Sequence, residues 1–172
     1  YSSINARRRG STWWYVRADG ASRSSPVSSA ADVVIVGAGI AGCEAAWLCS
    51  AHGLDVVLVT TSLDTVYNLA HDSAVLAPPA GSLMASATGI EDGTVRSWDL
   101  HRAVKYALEA RPNVHLLQST VSAVLVDDGA AGGVRTWEGI DRLGSQTALC
   151  VGSFLRARLT SGVVTETQGR LS

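Results

Sequence analysis

The chain has few of the residues that stabilise secreted or membrane-spanning proteins. Its 172 residues include three cysteines, four prolines, one phenylalanine and one methionine. Cys43, Cys49 and Cys150 are too few and too scattered for a disulfide framework, and no pair has metal-ligand spacing, so we expect free thiols in a reducing compartment. Glycine, serine or charge breaks each apolar run well before the ~18 residues of a transmembrane helix. These absences predict a soluble, cytoplasmic protein without membrane contact.

Charged residues are also scarce, at 17% of the chain, and they are unevenly distributed. Residues 1–30 carry five arginines and one aspartate, whereas the remainder carries nine basic and fourteen acidic residues. This body, with net charge −5, lacks the basic footprint of a protein that grips a phosphate backbone. Because residues 1–30 show no apolar periodicity, we expect a disordered or non-native extension before one domain over 31–172. The alternatives are a transit peptide or a basic segment that touches nucleic acid or membrane.

A βαβ pattern begins immediately after this segment. Residues 33–36 form a short β-branched run that leads directly into the glycine-rich residues 37–42, as a buried parallel strand enters a phosphate-binding turn. A helix is predicted to follow to about residue 51, with Gly53 ending it in a left-handed conformation. Residues 55–59 then read as a second strand, so the pattern predicts a right-handed βαβ unit.

Each glycine of the turn has its own physical task. Gly37 permits the tight turn, Gly39 lets the backbone approach a pyrophosphate, and Gly42 lets helix and strand pack closely. The amides of Ile40, Ala41 and Gly42 would face the phosphates at the positive end of the helix dipole. We therefore predict a dinucleotide site, against the alternative of a glycine-rich turn without a ligand.

Ligand specificity is less clear from the motif, which does not separate FAD from NAD(P). The acid that usually grips the ribose hydroxyls should follow the second strand, where this chain has Thr60, Thr61 and Ser62. We interpret these residues as hydroxyl or backbone partners of the ribose. Asp64, 22 residues after Gly42, is the alternative.

The rest of the chain extends the α/β pattern. Residues 61–95 lack periodicity and are predicted to be a long functional loop. A helix is predicted from Trp98, with Ser97 as its cap, Pro112 as the residue that stops it and His101 on its polar face. A third parallel strand at 114–118 precedes a small β-meander, predicted at residues 121–126, 134–137 and 147–151. The fold class is thus a Rossmann-like FAD/NAD(P)-binding domain that looks truncated at its C-terminal end.

Two groups of reactive side chains have ordinary explanations. His71 and His101 read as solvated histidines rather than catalytic ones. Cys43 reads as a small apolar packing group, although its place near a helix N-terminus leaves a lowered pKa as the alternative. No catalytic side chain and no metal site can therefore be named from the pattern.

The stretch DVVIVGAGIAGCEAAWLCSAHGLDVVLVTTSLDT resembles the start of the glucose-inhibited division protein A family, FAD-dependent proteins that modify wobble uridine in tRNA. Residues 133–139 (GVRTWEG) and 151–155 (VGSFL) support the resemblance, which extends over about 32–172 and points to short members of the family. The resemblance implies FAD as the cofactor, with NAD(P) as the alternative. It also implies that Thr60 and Thr61 replace the ribose acid and that backbone near Val121 meets the adenine. Gly152 would approach the cofactor from another strand end, and Gly81 and Ser82 would lie near the flavin.

One departure from the family limits what the resemblance implies. Full-length members carry a Cys-Asn-Pro stretch where this chain has His71, Asp72 and Ser73, so the thiol attributed to those enzymes is missing. We therefore expect an FAD-binding flavoprotein without tRNA-modifying activity of its own, for which tRNA is a partner by resemblance only. An NAD(P)-dependent oxidoreductase fragment and a non-catalytic dinucleotide-binding module are the alternatives.

Overall fold

The computed structural model describes residues 5–9, 12–16, 30–69, 71–152 and 155–167. Three α-helices are described, α1 (Ile40–Ala51), α2 (Leu83–Thr88) and α3 (Ser97–Glu109), together with a short 3-10 helix at Leu63–Thr65. The strands are β1 (Asn5–Arg9), β2 (Thr12–Val16), β3 (Ala31–Val36), β4 (Val56–Thr60), β5 (Ser73–Leu76), β6 (Gly93–Arg96), β7 (Val114–Gln118), β8 (Val121–Asp127), β9 (Ala130–Thr136), β10 (Asp141–Leu149), β11 (Leu159–Ser161) and β12 (Val164–Glu166). None of the helices in these ranges is long and apolar enough to cross a membrane.

A six-stranded sheet with the order β7-β4-β3-β10-β9-β8 organises the domain. Its first four strands run parallel, and β9 and β8 are antiparallel. The predicted βαβ unit is confirmed as β3, α1 and β4, and Gly53 has the positive φ of +78° expected after the helix. Parallel strands in this order leave a crevice at their carboxyl ends, where such folds bind ligands.

The core lies mainly between the parallel strands and the helices. Ile35, Leu58, Leu100, Val104 and Leu108 are fully buried there. This continuous burial of β-branched and aliphatic side chains is what a parallel sheet covered by helices requires. A smaller cluster around Val34, Val59 and Val134 joins β3 and β4 to β9.

The meander differs from the prediction at its last strand. Strand β10 starts at Asp141 rather than near residue 147, pairs with β9 through residues 141–143, and pairs in parallel with β3 through residues 144–149. The strand passes close to β3 at Gly144, where an added Cβ would lie 2.8 Å from Val34 Cγ2. Residues 141–145 resemble a turn in composition, yet here a glycine marks a close approach of backbones.

The prediction of a long loop over residues 61–95 is wrong. Within it, β5 and β6 form an antiparallel pair, and α2 lies between them in sequence. Ser82 caps α2, and Gly89 ends it with a φ of +67°. The three elements were missed because each is six residues or shorter. In addition, β5 and β6 pair across about twenty residues, so no local periodicity reveals them.

Helix α3 confirms the predicted helix and corrects two of its details. Ser97 is the first helical residue rather than the cap, because Arg96 holds the N-cap position without a side-chain hydrogen bond. His101 is buried, not solvated, and its Nδ1 lies 2.6 Å from the Val66 carbonyl oxygen. A carbonyl partner lets this face of the helix pack inward even though it carries an imidazole.

The first thirty residues include described structure, which differs from the expectation of an irregular segment. Strands β1 and β2 pair in a two-stranded sheet of their own. The sequence Thr-Trp-Trp-Tyr-Val in β2 is rich in residues that favour strands. The remaining residues of 1–29 lie outside the described part of the chain, and their assignment as an extension stays a prediction.

Candidate functional site

A cleft of about 470 Å³ opens at the carboxyl ends of β3, β4 and β10. Sixteen residues line it, and they fall into a glycine-rich turn, a hydroxyl-rich segment after β4 and two further strand ends: Val36, Gly37, Ala38, Gly39, Val59, Thr60, Thr61, Ser62, Thr65, Asn68, Ser119, Val121, Cys150, Val151, Gly152 and Leu155. The volume lies within the range typical of small-molecule and cofactor sites. The cleft therefore brings together most of the residues singled out in the sequence.

The glycines of the turn separate into two kinds. A Cβ added to Gly37 would lie 2.3 Å from the Cys150 carbonyl oxygen, and one added to Gly42 would lie 1.8 Å from the Gly37 carbonyl oxygen. A Cβ at Gly39 would meet nothing within 4 Å. Gly37 and Gly42 are thus required by packing within the protein, whereas the space at Gly39 is open to a ligand.

Helix α1 starts at this cleft without a side-chain cap: its N-cap residue Gly39 lines the cleft, whereas Ile40, Ala41 and Gly42 are not among the lining residues. Gly39 is the N-cap residue, and no acidic residue stands in the first turn. The first N–H groups of any helix have no acceptor within the helix, so the amides of Ile40, Ala41 and Gly42 lack intrahelical partners. Helix α3 also starts without a side-chain cap, but it carries Asp99 in its first turn. Only α1 offers an anion both free amides and a nearby glycine turn in the described structure.

The segment after β4 lies where the sequence placed the ribose partners. Thr60, Thr61 and Ser62 line the cleft. The Thr60 hydroxyl donates to the Ser62 carbonyl oxygen over 3.2 Å, and the Thr65 hydroxyl donates to the same oxygen over 3.0 Å. Asp64 does not line the cleft; its N–H donates to Ser62 Oγ. The geometry therefore favours the hydroxyl residues over Asp64.

The opposite wall contains Val121 and Gly152, as expected, together with a pair that the sequence did not single out. Ser119 also lines the cleft, and its hydroxyl donates to Glu138 Oε2 over 2.7 Å. The pKa of the exposed Glu138 carboxyl is lowered to about 2, most of all by this hydrogen bond and further by hydrogen bonds from its surroundings. The pair escaped notice because its members are 19 residues apart in sequence, on two separate turns.

Gly81 and Ser82 do not line the cleft. The Gly81 carbonyl oxygen accepts a hydrogen bond from Trp47 Nε1, and the Ser82 hydroxyl accepts one from the Ala85 N–H. Glu44, on α1, completes this capping by accepting from the N–H groups of Leu83 and Met84 over 2.8 and 3.1 Å. Gly81 and Ser82 therefore have a structural role at α2, and their place near the flavin stays a prediction.

Tyr67 links the α2 region to the phosphate turn. Its side chain is fully buried, its hydroxyl donates to Glu44 Oε1 over 2.5 Å, and its backbone N–H donates to the Ala38 carbonyl oxygen over 2.8 Å. Burial raises the pKa of the phenol, and the hydrogen bond to Glu44 raises it further. Tyr67 thus remains neutral and fixes the back of the turn.

Cys43 packs against the same turn. Its thiol donates to the Ala38 carbonyl oxygen over 3.2 Å, and burial raises its pKa to about 12. The alternative of a thiol activated by the helix N-terminus is wrong, because desolvation outweighs the dipole here. The described residues contain no cluster of three or more potential metal ligands.

Comparison with known proteins identifies the family of this chain. The profile of the family "Glucose inhibited division protein A" matches residues 32–98 and 92–172. The chain belongs to this family. The MnmG tRNA uridine 5-carboxymethylaminomethyl modification enzyme of Chlamydia caviae is 32% identical across 81% of this chain and 28% of its own length.

Solved structures agree with the family and with the fold class. The GidA-related protein from Thermus thermophilus is 42% identical with a TM-score of 0.71, across 83% of this chain and 62% of that one. Aquifex aeolicus GidA has a TM-score of 0.70 at 20% identity, across 82% and 28%, a likeness of fold alone. The Rossmann-like α/β class is confirmed, and this member of the GidA family spans 28% of the curated relative's length.

Proposed function

We propose that this chain is an FAD-binding flavoprotein domain and that the cleft holds the dinucleotide. The observation that carries the proposal is the open space at Gly39 in front of the uncapped start of α1. A backbone that leaves room for a ligand beside unpaired amides and a helix dipole is suited to a pyrophosphate. Family membership supports FAD over NAD(P).

The lining of the cleft supports the following placement of the dinucleotide. The pyrophosphate would lie over Gly37 and Gly39 and meet the amides of Ile40, Ala41 and Gly42. Thr60, Thr61 and Ser62 would hold the ribose through hydroxyl and backbone groups, and backbone near Val121 would meet the adenine. Gly152 would close the site from the end of β10. The bound flavin would supply the redox chemistry, and the protein its orientation.

We also propose that the chain does not modify tRNA by itself. His71, Asp72 and Ser73 are exposed at the start of β5, and none of them is a thiol nucleophile. The net charge of −5 beyond residue 30 disfavours attraction to RNA. Both features support a binding role in which any tRNA contact depends on another protein.

Purification of the full chain tests which dinucleotide it binds. Flavin absorbance bands, with FAD identified by mass spectrometry after denaturation, are the expected result. Released NAD or NADP would instead identify a nicotinamide-dependent protein. If neither dinucleotide is released or rebinds, the proposed function is wrong.

The activity is tested separately by incubating the FAD-loaded protein with tRNA, a reductant and a one-carbon donor. Nucleoside mass spectrometry should find no modified uridine. Modified uridine, or tRNA binding that weakens steeply with salt, would overturn the proposal that this chain lacks the activity.

A further inference from the structure

Three hydroxyl groups that line the cleft have their protons committed to the protein. Thr60 and Thr65 both donate to the Ser62 carbonyl oxygen, and Ser119 donates to Glu138. A carbonyl oxygen cannot donate, so the direction of the first two hydrogen bonds is fixed. The third is fixed as well, because the Glu138 carboxyl, with its pKa lowered to about 2, is ionised at neutral pH and can only accept.

A hydroxyl whose hydrogen is already donated in one hydrogen bond offers only its lone pairs to a ligand. Thr60 and Ser119 are also buried, with 7% and 8% of their surfaces exposed, so little water reaches either side chain. A ligand group that meets them must donate, since an acceptor placed there would leave lone pairs facing lone pairs. Thr60 and Thr65 lie at the ribose corner, and Ser119 lies two residues before Val121.

We propose that the nucleoside end of this cleft selects its ligand by hydrogen-bond donors, with Thr60, Thr65 and Ser119 as acceptor-only specificity residues and Glu138 as a positioning residue. The inference rests on the proposed dinucleotide function and adds the direction of recognition. Free ribose hydroxyls and the exocyclic amine of adenine are donors and fit this lining. The 6-oxo group of hypoxanthine is an acceptor and does not.

Glu138 differs from Ser119 in what its loss should do. Replacing Glu138 by alanine leaves the Ser119 oxygen in place but frees its proton to turn toward the cleft, so the hydroxyl can then serve an acceptor on the ligand. Replacing Ser119 by alanine removes the partner altogether. A residue with only a structural role would weaken all ligands alike, whereas a positioning residue changes which ligand is preferred.

Displacement of FAD by ADP and by IDP tests the inference on full-length protein. Wild-type protein should bind ADP about tenfold more tightly than IDP, the effect of one well-made polar contact. Ser119→Ala should lose most of this preference through weaker ADP binding, and Glu138→Ala should lose it through stronger IDP binding. Glu91→Ala, an exposed carboxylate outside the cleft lining, is the matched control and should keep the wild-type ratio.

The outcomes separate this inference from the proposed function. If FAD binds but wild-type protein does not distinguish ADP from IDP, or if Glu138→Ala weakens both equally, donor selection is wrong and the FAD site stands. If ADP is preferred over IDP by direct titration while FAD does not bind, donor selection stands and the FAD proposal falls. If none of the three ligands binds, both are wrong.

Discussion

The N-termini of α1 and α2 are built in opposite ways. At α2, the first amides are satisfied by the protein: Glu44 accepts from Leu83 and Met84, and Ser82 accepts from Ala85. At α1, no side chain caps the helix, and the N-cap residue is a glycine with open space beside it. The protein therefore completes the start of α2 with its own side chains, whereas the exposed start of α1 is the end that we propose a ligand completes.

The same helix carries both arrangements. Glu44, two residues after Gly42, points its carboxylate at α2, while Gly39 at the start of α1 lines the cleft. Tyr67 connects the two by donating from its side chain to Glu44 and from its backbone to Ala38. Through Tyr67, the capped start of α2 thus holds the turn that precedes α1. The following substitutions separate the packing of this turn, ligand binding at α1 and the capping of α2.

The largest effect is expected from Gly42→Ala. Its Cβ would lie 1.8 Å from a backbone oxygen, which cannot move without opening the turn, so the free energy of unfolding should fall by about 3 kcal/mol or more. Urea denaturation measures this change. Gly132→Ala is the control, because a Cβ there meets nothing within 4 Å and should cost less than about 1 kcal/mol. Equal stability of the two variants would show that the turn is not packed as described.

Gly39→Val should affect binding and leave the fold intact. The new side chain has room in the free protein but occupies the space proposed for the pyrophosphate. We expect the Kd for FAD to rise at least about 100-fold, or ~2.7 kcal/mol, with little change in melting temperature. Fluorescence titration and circular dichroism measure the two quantities. A folded variant with wild-type affinity would remove Gly39 from the site.

Glu44→Ala should destabilise the protein by about 2 kcal/mol, because two α2 amides and the Tyr67 hydroxyl lose an acceptor in a partly buried site. Thermal unfolding provides the measurement. On α3, the exposed Glu109 pairs with the half-buried Lys105 over 3.9 Å, a long ion pair, so Glu109→Ala should cost less than about 0.5 kcal/mol. If the two variants are equally stable, Glu44 does not complete α2.

The smallest effect concerns cysteine reactivity. Because folding raises the pKa of Cys43 to about 12, its thiol stays protonated as the pH passes the ordinary value of 9.0, and the stability from this neutral form is lost only between those two values. Cys49 and Cys150 are only partly buried. Slightly above pH 9, a thiolate-selective reagent should therefore label Cys49 and Cys150 before Cys43, as mapped by peptide mass spectrometry. Faster labelling of Cys43 would contradict its buried position.

The open helix end was predictable from sequence, and the capped one was not. The β-branched run, the spaced glycines and Gly53 are local signals within about thirty residues, so β3, α1 and β4 follow from the local motif. Glu44 meets its α2 partners across 39 and 40 residues, and Tyr67 meets Glu44 across 23. Contacts at such separations depend on how elements pack and leave no local period. For the same reason the pairing of Ser119 with Glu138 was missed.

Backbone amide chemical shifts during an FAD titration test the central claim most directly, because each N–H at the two helix ends reports for itself. The largest changes in a ¹H–¹⁵N spectrum should fall on the amides of Gly39, Ile40 and Ala41. The shifts of Leu83, Met84 and Ala85 should hardly change, because these amides stay hydrogen-bonded to Glu44 and Ser82. Saturable changes centred on the α2 amides, or none at the start of α1, would contradict the account.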